Sequence, residues 1–73
     1  MIGYYRNSIS FKRRLAAIEH ELNKAGYQTE PNDREYWLGV TRYKQQLKLT
    51  YEFIAHESID RVTTEVKHRL RYA

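Results

Sequence analysis

From Val40 to Ala73 the chain contains neither glycine nor proline; Gly3, Gly26, Pro31 and Gly39 all come earlier. Turns between strands lean on those residue types, so so sparing a use of them predicts helices rather than a many-stranded sheet. Phe11, Leu15, Ile18, Leu22 and Ala25 recur at helical spacing, and Gly26 stands where a left-handed C-cap would end a helix. That predicts a first helix over about 8–25.

Pro31 biases Glu30 toward extended geometry, and Asn32 followed three residues later by Glu35 matches a capping box. A second helix is therefore expected over about 33–56. At about 100° per residue, Tyr36, Val40, Tyr43, Leu47, Tyr51 and Ile54 fall within one sector of roughly 80°. Gly39 would sit inside that helix at a cost of up to about 1 kcal/mol, which suggests a close crossing with a neighbour. Ser58, with Asp60 in the following turn, starts a third helix over about 58–71, whose apolar face is Ile59, Val62, Val66 and Leu70. The expected fold class is all-α: one domain over 1–73, a small helical hairpin or three-helix domain with a long central helix.

Leu38, Leu49 and Phe53 would lie nearly opposite the main stripe of that central helix. A helix apolar on two faces in so short a chain calls for a second partner. At 73 residues only roughly 60% of the unfolded surface is buried, and with no cysteine there is neither a disulfide nor a thiolate metal site to make up the difference. A homodimer is the expected solution, with Trp37, Leu38, Leu49 and Phe53 as its interface or as a partner interface. Trp37 lies off the main stripe, either as a lid on the core or as an exposed anchor.

No apolar run approaches the roughly 18 residues of a membrane span, and "MIGYYRNSIS" lacks the apolar centre of a signal peptide. A cytoplasmic protein without membrane contact is expected. His20, His56 and His68 stand far apart and match no metal-ligand spacing, and no glycine-flanked nucleophile, Walker A loop or dinucleotide fingerprint occurs. We therefore expect no enzyme activity, no catalytic residues, no metal and no cofactor.

Basic residues exceed acidic ones by 13 to 9, a net charge of +4. The surplus gathers at Lys12, Arg13 and Arg14 and again at Lys67, Arg69 and Arg71. The first triplet lies in the opening turns of a helix, where positive charge opposes the dipole; the second lies at a C-terminal end, where it is favourable. Either could neutralise phosphates without reading bases, because the connection holding Pro31 exceeds the usual roughly 3–4-residue turn of a helix-turn-helix. The expected function is that of a non-enzymatic basic helical protein that binds a protein partner as a regulator or adaptor, with Trp37, Tyr27, Tyr4 and Tyr5 as aromatic anchors. The alternatives are a dimeric DNA- or RNA-binding protein using the basic residues at both ends of the chain, and a structural subunit of a larger assembly.

Overall fold

The computed structural model describes residues 9–71. The order of elements is α1 (Ile9–Lys24), β1 (Gln28–Asn32), β2 (Trp37–Arg42), β3 (Gln45–Leu49), α2 (Tyr51–His56) and α3 (Ile59–Arg69). The fold is α+β, and this corrects the all-α expectation. The segment expected to be one long helix over 33–56 instead holds two strands and one short helix, and β1, from the expected connection before it, joins them in a three-stranded antiparallel meander. It is not a helical bundle.

The first helix ends as its sequence requires. Gly26 takes φ +97°, its N–H donates to the Asn23 carbonyl at 3.1 Å, and the Tyr27 N–H donates to the Leu22 carbonyl at 2.9 Å. These two bonds form a Schellman motif, and the buried Tyr27 ring supplies the apolar contact that accompanies it. Beyond the cap, β1 runs back along the helix. Asn23 Nδ2 donates to Thr29 Oγ1 at 3.0 Å, and Thr29 Oγ1 donates to Glu19 Oε1 at 2.9 Å, tying the strand to α1 by side chains.

The capping signal at Asn32 is real, but the helix it announces stops after one turn. Asn32 Oδ1 accepts from the Arg34 and Glu35 N–H groups at 3.0 and 2.8 Å, and the Tyr36 N–H donates to the Asn32 carbonyl at 2.8 Å. Tyr36 then adopts φ +59°, which reverses the chain into β2. The second reversal takes only Tyr43 and Lys44, with Tyr43 at φ +57°. Left-handed backbone costs an L-residue roughly 1–2 kcal/mol, so tyrosine carries little sequence signal for it. Turns made by tyrosines are why the chain reverses twice into a sheet with no glycine at either reversal.

Register explains the two apolar faces. Leu38 pairs with Leu49 and Val40 with Leu47, so all four point to one side of the sheet. A helical projection had set Leu38 and Leu49 against Val40 and Leu47; a period of two unites them. The helices cover that side alone, and Ile18, Leu22, Leu38, Val40, Ile54, Val62 and Val66 are fully buried between the layers. The Phe11 and Tyr51 rings meet at 5.0 Å between centroids beside this core.

Short caps start the last two helices. Thr50 Oγ1 accepts from the Phe53 N–H at 3.4 Å, and Ser58 Oγ from the Arg61 N–H at 3.0 Å. Glu57 and Ser58 are both extended, with ψ 157°, so the chain breaks between α2 and α3 there. No helix of the described residues is long and apolar enough to cross a membrane.

Candidate partner-binding surface

Among the described residues, one face of the sheet is left open. Because Leu38 and Val40 point inward, Trp37, Gly39 and Thr41 point outward, joined by Gln28 and Glu30 from β1 and by Gln46 and Lys48 from β3. Together they floor a shallow open depression of about 520 Å³. Its principal feature is the half-buried indole of Trp37, which lies along the strand over Gly39. A Cβ at position 39 would stand 3.2 Å from Trp37 Cζ3, so the missing side chain is what lets the ring lie down.

The ring is held from two sides. Trp37 Nε1 donates to Glu35 Oε1 at 2.8 Å, and Lys48 Nζ sits 4.9 Å from the ring centroid as a cation–π partner. Glu30 and Glu35 thus stand near Lys48, and the face carries mixed charge around an aromatic centre. Such a surface can present apolar area and polar partners together, the composition found at protein interfaces.

The remaining predicted site residues are scattered. Leu38 and Leu49 are in the core of a single copy, 0% and 3% exposed, so the second face on which a homodimer was expected does not exist as a surface. Phe53 is half-buried against the core, beside β3. Tyr27 is buried too, and its hydroxyl accepts from Arg42 Nη1 at 3.0 Å, which removes it from the aromatic anchors. Tyr4 and Tyr5 lie outside the described residues.

The basic triplets divide likewise. Arg14 is half-buried and its Nε donates to the Ile54 carbonyl at 2.9 Å, where it satisfies the end of α2. Arg69 bonds Glu65 Oε2 through Nε at 2.7 Å. That bond, reinforced by the charge of Arg69 and of its neighbours, holds the Glu65 carboxyl below the usual carboxylate range. Lys12, Arg13, Lys67 and Arg71 are exposed. At the β2–β3 turn the Arg42 guanidinium lies 4.9 Å from the Tyr27 ring and 5.4 Å from the ring of the exposed Tyr43. Hydrogen bonding to Tyr27, then to Tyr43, raises its pKa further.

His20, His56 and His68 are exposed, and among the described residues no group of three or more His, Cys, Asp or Glu side chains converges as a metal site. Reading the sequence missed Gly39, Thr41 and Lys48 as neighbours of Trp37. The alternation Leu38, Val40 and Leu47, Leu49 was the signal that could have found them. No family model, curated protein or solved structure matches the chain.

Proposed function

We propose that this protein is a non-enzymatic binding module, a regulator or adaptor, that docks a protein partner on the open face of its sheet. One observation carries the reading: the outer face is uncovered by the described residues and centred on Trp37, an aromatic held in place by Glu35 and Lys48 rather than packed into the core. Tryptophan is the residue type most enriched at binding hot spots, and a ring already fixed loses little freedom when a partner covers it. The charge of the face is mixed, and Arg14 is turned into the fold, which disfavours a phosphate-tracking surface built from both basic triplets.

The test places a photo-crosslinking amino acid at Thr41 on the outer face, or at His20 on exposed α1 as a control, in an extract of the source cells. Discrete protein adducts from position 41 that vanish on Trp37→Ala, and that position 20 does not give, are expected. In parallel, anisotropy of a labelled duplex and a single strand is followed at about 50 and 200 mM salt, where phosphate-driven binding weakens steeply. Salt-sensitive micromolar binding abolished by reversing Lys12 and Arg13 would replace the reading with a nucleic-acid one.

A further inference from the structure

The two edges of the sheet differ. Pro31 stands inside β1 opposite Leu38, and proline has no N–H to give a ladder. Its place in the strand therefore requires the bonding side of residue 31 to face away from β2. Leu38, non-bonded toward β1, then directs its N–H and carbonyl to Leu49, and alternation leaves the backbone groups of Gln46 and Lys48 pointing out from β3. The β1 edge lacks a donor where an added strand would need one. The β3 edge keeps its donors and acceptors.

The β3 edge also opens onto a groove of about 330 Å³ against α3, walled by Lys48, Phe53, Arg61, Glu65 and Arg69. Arg61 and Arg69 stand beside one carboxylate there, and Lys48, whose Nζ lies over the Trp37 ring, completes the lining. Glu65 is already bonded to Arg69, and Arg61 has a second, exposed carboxylate neighbour in Glu57 at 3.9 Å, outside the groove lining. Among the described residues the groove thus offers unpaired backbone, an aromatic ring and a lining of net positive charge in one place.

We infer that the β3 edge captures an extended acidic segment of a partner protein as a fourth strand, its carboxylates facing Arg61 and Arg69 and an apolar side chain covering Phe53. The inference rests on the partner-binding reading above and names the chemistry of that partner. Strand addition supplies main-chain hydrogen bonds, and the flanking side chains supply selectivity. A second copy is a poor occupant. Antiparallel pairing of β3 with its own twin would set two copies of the same net-cationic groove side by side, and like charges across a seam repel.

The test uses two labelled eight-residue peptides, one alternating glutamate with valine and the other lysine with valine, with backbone amide exchange read by NMR. The acidic peptide is expected to bind at least about tenfold more tightly than the basic one. It should slow exchange at Gln46 and Lys48 and leave β1 unchanged. Gln46→Pro, which removes an outward N–H without touching the β2 ladder, should abolish that protection. Arg61→Glu with Arg69→Glu should keep the fold and reverse the charge preference, so the test survives if the proline variant fails to fold. Equal binding of both peptides, or no protection at β3, overturns the inference, as does protection that grows with protein concentration alone, the mark of a second copy. Loss of the peptide result with adducts from position 41 intact would sink only the strand-addition inference; loss of both would sink the partner-binding reading too.

Discussion

Leu38→Ala separates a core residue from an interface residue. Leu38 is 0% exposed, pairs across the sheet with Leu49, and lies in the layer between sheet and helices. Truncation removes roughly three methylene equivalents at about 0.8 kcal/mol each and leaves a cavity, which together give about 3 kcal/mol. A domain of 73 residues has a total stability of roughly 4–11 kcal/mol, so the loss is a large fraction of it. At about 4–8 °C per kcal/mol for this size, Tm should fall by roughly 12–24 °C. The assay is urea and thermal unfolding, followed by far-UV circular dichroism and Trp37 fluorescence, at protein concentrations about 100-fold apart. The same drop is expected at both concentrations, because the lost contacts lie within one copy. A loss under about 1 kcal/mol, or one that recovers at high concentration by mass action, would refute the placement and return Leu38 to an interface between copies.

Ser58→Ala should cost about 1 kcal/mol, because Ser58 Oγ satisfies the Arg61 N–H at the start of α3; chemical denaturation measures it. Gly26→Ala should cost a similar amount, roughly 1 kcal/mol, and purely through backbone strain at φ +97°, since an added Cβ meets nothing within 4 Å. Gly26→Asn, which tolerates the left-handed region, should recover part of that loss in the same melt. The Glu65 carboxyl should titrate by NMR below the usual carboxylate range and return toward it in Arg69→Gln. Its folded pKa is depressed, so the stability that it contributes is present above the unfolded pKa. That contribution is lost as pH falls through the folded value, and for so exposed a pair it is small.

The ends of this chain are legible one residue at a time. The stripe of Phe11, Leu15, Ile18 and Leu22, the glycine cap at 26 and the serine at 58 act through neighbours within a turn, so their consequences are local and their patterns survive in the sequence. Even the N-cap at Asn32 is made, its Oδ1 accepting from the Arg34 and Glu35 N–H groups, while the Glu35 carboxylate takes the Trp37 Nε1–H. What its pattern does not contain is how far the helix continues, because that depends on whether Tyr36 will accept left-handed backbone. The cost of that conformation is met only when Leu38, Val40, Leu47 and Leu49 bury together against the helices.

Sequence by itself determined a small cysteine-free chain with a cationic surplus, helices at both ends of the described residues and the caps that bound them. Tertiary structure alone decided that 37–49 is a sheet. Val40 and Leu47 share a face in a helix by their spacing of seven and share a face in a hairpin by cross-strand pairing, and the choice between the two is made by which face finds a partner to bury it. The same decision set the surface. Once Leu38 and Leu49 turn inward, Trp37 and Lys48 must turn outward, and the open face and open edge follow from the parity of one register.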